Sequence, residues 1–309
     1  MLPRGNCQAK GKNFMQSKVV ASAVQHQPVE LGGIAENLAF ILNQMQVEAS
    51  NGSDLVVFPE ANLTSFFKHE EGGLKRLWNE GSVDVDGPEL KAVAEAAKTL
   101  GIYTVVGFNE RSSIVGTIYN SAALIGPEGI VGVTRKCFFP GIEKLYYTPD
   151  YNRTTFDCAL GKIGIVICYE TLFPEVALEH FRQGVEILAV TSSFWSGGTK
   201  GGAGDPVTKK KFWETVPTVT AIQNQAFVVS CNACGFLDLG KKVGTWERLG
   251  LSQIVSPNSG ILAQAGQFAA ETIRAELLES DLIEARANYP LMADRLRGRK
   301  LVEQPVPTR

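Results

Sequence analysis

The stretch KIGIVICYETLFPE, residues 162–175, sets the reading of the whole chain. Ile163 to Ile167 are five consecutive uncharged residues, apolar without alternation, as in a strand covered on both faces. Tyr169 to Glu175, with Pro174 among them, then read as a turn into a helix. Between the two stands Cys168. A buried strand that hands over to a helix at a reactive residue is a unit of α/β proteins, which place their chemistry at the C-terminal mouths of strands.

Outward from that stretch the same alternation recurs. Strands are expected at Val19–Gln25, Asp54–Glu60, Tyr103–Glu110, Tyr119–Ile125, Gly129–Lys136, Lys162–Tyr169, Val185–Ser193, Ala226–Asn232 and Gln253–Pro257. Leu38, Ile41, Leu42 and Met45 repeat at helical spacing, as do Leu90, Val93, Ala94 and Ala97 after the turn at Asp86-Gly87-Pro88. The turns Gly126-Pro-Glu-Gly129 and Ser256-Pro-Asn-Ser-Gly260 join adjacent strands, so the sheets are mixed and a simple Rossmann arrangement is disfavoured. With no internal repeat of short period and no low-complexity linker, one domain is expected over residues 18–285. Residues 1–17 read as a tail, and residues 286–309, rich in Arg and Pro, as an arm for which a partner subunit is the natural support.

Composition narrows the function. Thirty Lys+Arg against thirty-two Asp+Glu leave a formal charge of −2 across 309 residues, which gives no basic field for nucleic acid or an anionic membrane. No stretch approaches the ~20 apolar residues of a membrane span. The N-terminus has no apolar segment of a secretory signal. Six cysteines are too few for a disulfide scaffold, and Cys158, Cys168 and Cys231 lie in apolar, strand-like surroundings, so a cytoplasmic location is expected.

Three expected strands end in an ionisable or reactive residue: Glu60, Lys136 and Cys168. For any one of them, arrival at the surface is an equally good account. A nucleophilic cysteine ordinarily uses a histidine base, but His26, His69 and His180 look like ordinary surface histidines. A carboxylate base raised by burial, with a lysine to hold a developing oxyanion, would serve instead, and Glu60 and Lys136 are the candidates. Cys231-Asn-Ala-Cys234 has no second pair to complete a zinc site, and the glycine run 197–204 lacks the order of a phosphate loop and reads as a loop near the site mouth. Among the many aromatic residues, Tyr146, Tyr169, Phe194 and Trp195 are expected to line a pocket for an uncharged or weakly polar acyl group. Arg135 and Arg153 are the only arginines left as possible carboxylate clamps.

These segments resemble the signature blocks of the nitrilase superfamily of carbon–nitrogen hydrolases. The blocks are VVFPE with Glu60, TRKCFFPGIE with Lys136 and Glu143, and GIVICYETLFPE with Cys168, in that order. Further likeness runs through GFNERSSIVGTIYNSAALIGPEGI, SCNACGF and LGLSQIVSPNSGILAQAG, so it spans Lys18 to Arg286. The resemblance implies an αββα sandwich whose dimer stacks into a four-layer assembly, and a cofactor-independent, metal-free Glu-Lys-Cys site. On this sequence Glu60 would be the general base, Lys136 the transition-state stabiliser, Cys168 the nucleophile and Glu143 the second glutamate. The Tyr169 backbone N–H would join Lys136 at the oxyanion.

The reaction implied is hydrolysis of a small-molecule carboxamide or N-carbamoyl compound through an acyl-thioester. Tyr169 departs from the Trp associated with nitrile-hydrolysing branches, whereas Glu170 and Asn109-Glu110-Arg111 keep a nitrilase as the alternative. Cys137-Phe138-Phe139 after the lysine departs from many relatives and points to a different pocket wall. A reading of another class is a silent binding protein on the same fold, against which stand four intact site positions. With helices expected over only one outer layer and an Arg/Pro-rich arm, a homodimer or higher homo-oligomer is expected.

Overall fold

The computed structural model describes residues 15–201 and 204–298. Its first sheet runs in the order β15 (Glu271–Leu278), β1 (Lys18–Gln25), β2 (Leu55–Val57), β3 (Tyr103–Arg111), β4 (Ile118–Gly126) and β5 (Gly129–Arg135). Its second runs β14 (Gly260–Gln264), β13 (Gln253–Ser256), β10 (Phe227–Asn232), β8 (Ile187–Ser192), β7 (Gly161–Ile167) and β6 (Phe156–Cys158). In each sheet three central strands are parallel and the rest antiparallel, with both expected hairpins in place.

Strand alternation explains the apolar runs. Ala21, Ala23, Val57 and Val105 from the first sheet meet Ile163, Ile165, Ile167 and Val229 from the second. The intervening residues face outward onto helices. Val56 and Val106 pack on α1 (Ile34–Ser50) and α3 (Pro88–Leu100) through Ile41, Met45, Leu90 and Val93. Val166 and Val190 pack on α4 (Pro174–Arg182) and α5 (Pro206–Asn224) through Val176, Ala177 and Trp213. Every central strand is thus buried twice, which is why its sequence does not alternate.

The result is an αββα sandwich whose four layers are complete in one chain instead of being assembled from two. Helices cover both outer faces, not one as expected from the sequence. The arm differs too. Helix α6 (Glu279–Asn288) crosses position 285, and α7 (Leu291–Arg297) folds back on the same chain, where Arg295 sits 4.5 Å over the Phe181 ring and donates to the Gln223 carbonyl. Arg286 likewise donates to the Val185 carbonyl at 2.7 Å. At the other end Met15 is buried and its N–H donates to Glu186, so the described end of the tail joins the core. Residues 1–14 and 299–309 lie outside the described residues.

A small antiparallel sheet, β11 (Cys234–Asp238), β12 (Thr245–Leu249) and β9 (Trp195–Gly198), borders the sandwich beside α2 (Gly73–Glu80). Gly197 and Gly198, expected in a loop, are strand residues here. The Trp246 indole covers Gly198 so closely that a Cβ would lie 2.7 Å from it. Gly202 and Ala203 of the same run lie outside the described residues.

Candidate active site

Two expected strands stop early, and both stops build the site. Strand β2 ends at Val57, because Pro59 has no N–H to continue a ladder and Ala61 adopts a φ of +49°. The irregular segment that follows is fully buried and tied to its neighbours: Phe58 N–H to the Val105 carbonyl, Glu60 N–H to the Ser192 carbonyl and Leu63 N–H to the Gly107 carbonyl. Gly107 makes this approach possible, since a Cβ there would lie 2.6 Å from the Ala61 nitrogen and the Pro59 oxygen. Glu60 therefore projects from a fixed backbone.

Strand β7 ends at Ile167, and Cys168 opens a short 3-10 turn in a left-handed conformation, φ +50°, that few non-glycine residues adopt. The Glu170 carboxylate holds the turn from behind. Its Oε2 accepts the Ile167 N–H at 2.8 Å, and its Oε1 accepts the Cys137 N–H and the Arg153 guanidinium, both at 2.7 Å. One buried carboxylate thus joins the cysteine turn to the backbone just past Lys136.

Lys136, the residue after β5, is fully buried. Its Nζ donates to Glu60 Oε1 at 2.7 Å and to Glu143 Oε2 at 2.9 Å. Glu143 comes from the 3-10 turn Gly141–Leu145. Glu60 is held further by Asn120 Nδ2 at 2.8 Å and the Ser193 N–H at 3.1 Å. Burial works to lower the lysine's pKa, but Glu143, Glu60 and Cys168 outweigh it and hold the ammonium well above its ordinary value. Burial pushes Glu143 up to about 7 against the pull of Lys136, with Glu60 pushing the same way. Burial raises the Cys168 thiol strongly, Glu60 adding to the rise and Lys136 opposing it, so the resting sulfur is protonated. The cluster offers a thiol, an acceptor for its proton and a fixed cation in one buried space.

Cys168 and Glu143 open into a cavity of about 390 Å³. Tyr169, Phe194 and Trp195 line it. Tyr146 does not: its ring stacks on Phe67 at 4.1 Å and its hydroxyl meets His69 Nδ1 at 2.8 Å, so it fills the core beside the site instead.

Residues 20–287 match the carbon–nitrogen hydrolase family. The chain belongs to that family. It is similar to a 2-oxoglutaramate amidase of Paenarthrobacter nicotinovorans, 29% identical over 79% of this chain and 78% of the relative. It is similar also to a nitrilase of Bradyrhizobium diazoefficiens, 30% identical over 73% of this chain and 72% of the relative. Its fold matches the crystal structure of a Helicobacter pylori carbon–nitrogen hydrolase with a TM-score of 0.78 at 23% identity, covering 94% of this chain and all of that one.

Other sequence candidates of this carbon–nitrogen hydrolase have structural work. Arg135 pairs with Glu110 and Asp150, and Arg153 with Glu170, so neither clamps anything in the cavity. His26 and His180 are buried rather than on the surface. His26 stacks on Phe40 at 3.8 Å and His180 bonds the Ile165 carbonyl, and burial lowers each to about 4. Cys231 and Cys234 are buried free thiols on successive strands. Among the described residues no group of three or more His, Cys, Asp or Glu could hold a metal, and no helix is long and apolar enough to cross a membrane. Sequence reading missed Asn120, Ser193 and the Glu170 brace, and it missed Lys209, a half-buried cation in the cavity wall. Lys209 stands in the run Lys209-Lys210-Lys211, which by pattern alone is a solvated helix face.

Proposed function

We propose that this enzyme is an amidase, converting a small carboxamide or N-carbamoyl compound to the acid and ammonia or amine through a Cys168 thioester. The observation that carries the reading is the buried pair of contacts from Lys136 to Glu60 and Glu143 beside a buried thiol on a strained turn. In the first half-reaction the Cys168 sulfur attacks the carbonyl carbon as its proton passes to Glu60. The oxyanion is held by the Lys136 ammonium and the Tyr169 backbone N–H, one of the first donors of a turn with no partner inside it. Glu60 returns the proton to the leaving nitrogen as the carbon–nitrogen bond breaks. In the second, Glu60 takes a proton from water, whose oxygen attacks the thioester, and the departing sulfur recovers it. Glu143 fixes the Lys136 ammonium throughout.

The amide reading is favoured over the nitrile by what the competing residues do. Glu170 is engaged with Ile167, Cys137 and Arg153, and Glu110 with Arg135. Asn109 is engaged with the Ser65 and Gly81 carbonyls and the Tyr147 hydroxyl. None of the three lines the cavity. A panel of short amides, N-carbamoyl amino acids and the matching nitriles, read by ammonia release, tests the choice. Amides are expected to be turned over fastest; nitriles hydrolysed about tenfold faster than every amide would overturn it. The oligomeric state we propose is a dimer or higher, with a cytoplasmic setting; light scattering that returns a monomer at micromolar concentration would refute the first.

A further inference from the structure

Lys209 stands in the first turn of α5, whose N-terminal end carries the positive pole of the helix and disfavours a cation. Its neighbour Lys210 is compensated by Glu214 at 2.9 Å. Lys209 has no such partner among the described residues: its Nζ reaches only the Ser196 carbonyl, at 3.3 Å, and lies 5.7 Å from the centre of the Trp246 ring. Burial lowers its pKa, and no carboxylate acts to raise it.

Lys209 is the one cation among the described residues that line the cavity holding Cys168. The two carboxylates in that lining are already satisfied, Glu143 by Lys136 and Asp205 by the Thr208 N–H at 2.7 Å. The remaining wall is mostly apolar, with Phe194, Trp195, Phe212, Leu239, Val243 and Trp246. Such a wall strengthens the attraction between Lys209 and an anion, and away from the Cys168–Lys136 end the described lining offers that anion no other cation. At ~30 Å³ for each water-sized group, the cavity has room for on the order of a dozen heavy atoms, enough for a short acyl chain with one charged end.

We propose that Lys209 is a specificity-determining residue that selects substrates bearing a second, anionic group: short carboxamides whose acyl chain ends in a carboxylate. This inference rests on the amidase reading for its choice of bond, but not for its choice of charge. It replaces the expectation of an uncharged acyl group, since the aromatic wall accounts for the chain and Lys209 for its end.

The test compares succinamate with isocaproamide, its uncharged isostere, in the wild type, in Lys209→Met and in Lys210→Met. The ratio of kcat/KM for the two substrates is expected to favour succinamate in the wild type and to fall roughly tenfold or more in Lys209→Met, chiefly through KM. Lys210→Met is expected to keep the wild-type ratio. Equal losses on both substrates in Lys209→Met, or a wild type without preference, would overturn the proposal. Glutarate binding, measured calorimetrically on Cys168→Ala with and without Lys209→Met, reads the charge recognition apart from turnover. A tenfold weaker Kd with methionine, in an enzyme that hydrolyses no amide, would keep Lys209 and discard the amidase reading. An unchanged Kd would discard Lys209 itself.

Discussion

The two sheets are built to one plan and used for different ends. From β15 to β5 in the first sheet, and from β6 to β14 in the second, neighbouring strands pair as antiparallel, parallel, parallel, antiparallel, antiparallel. In that correspondence β1 matches β7, β2 matches β8 and β5 matches β14. The ends of matching strands differ completely. After β7 comes Cys168, turned sharply on Glu170; after β1 comes His26, neutral and stacked on Phe40, with Gln27-Pro28 beyond it and no acid to hold a turn. After β5 comes Lys136, whereas after β14 comes Ala265. A shared plan of strands thus supplies positions, and the few residues just past each strand decide whether a position carries chemistry or packing.

The sharpest way to break this comparison is to truncate the matched residues. Cys168→Ala is expected to lower kcat/KM by on the order of 10⁴ or more with an unchanged melting temperature, because the atom removed is the proposed nucleophile. His26→Ala is expected to do the reverse, keeping turnover while losing about 2 kcal/mol of stability through the emptied ring site. Ammonia release and urea unfolding read both. Loss of turnover in His26→Ala equal to that in Cys168→Ala would show that the two strand ends are not functionally distinct.

The next effect tests the brace that only the second sheet has. Glu170→Gln leaves the Arg153 guanidinium buried without its counter-charge and weakens three hydrogen bonds at once. A stability loss of about 3 kcal/mol is expected, the lower end for one partner of a buried pair. A fall in kcat larger than any rise in KM should accompany it, because the turn of Cys168 loosens relative to Lys136. Unchanged kcat with lowered stability would make Glu170 a packing residue alone.

The smallest effect concerns a feature the halves share. Each has a buried histidine, His26 or His180, with a pKa of about 4 where the ordinary value is 6.5. Both bind their proton more weakly in the folded chain than in the unfolded one. Their contribution to stability is therefore complete above pH 6.5 and is lost as the pH falls toward 4. Melting temperature followed across that window should fall, and the fall should be shallower in His180→Gln than in the wild type. A parallel curve for the variant would remove His180 as a source of acid sensitivity.

Strands buried on both faces were legible from sequence because nothing interrupts their apolar runs; β3, β4 and β10 need no partner to be recognised. Of the edge strands of the two large sheets, β5 was, but β6, β14 and β15 were not. In β15 only Ile273 and Leu277 are buried, amid two glutamates and an arginine, and its partner β1 lies some 250 residues away in sequence. At the site, Glu60, Lys136 and Cys168 stood out because each ends an apolar run. The residues that hold them did not: Asn120 lies in mid-strand, Ser193 acts through its backbone, and Glu170 reads as the start of a helix. Tyr146 misled because an aromatic beside the site is indistinguishable in sequence from one inside the pocket. Lys209 was hidden in a run of three lysines whose unequal burial appears only when α5 is laid against β9.

The Glu170 carboxylate has one more consequence, for how such an enzyme acquires a new substrate. Its bonds run among the cysteine turn, the segment after Lys136 and Arg153, and none reaches α5, which carries Lys209. The proposed reactive groups and the proposed selective wall therefore share none of the Glu170 hydrogen bonds. An exchange of residues along the first turns of α5 leaves the alignment of sulfur, carboxylate and ammonium to a fastening on the other side. This chain is accordingly suited to laboratory grafting of the opening turns of α5, ahead of Trp213, which packs in the core beside β7, so that the bond-breaking apparatus is inherited whole.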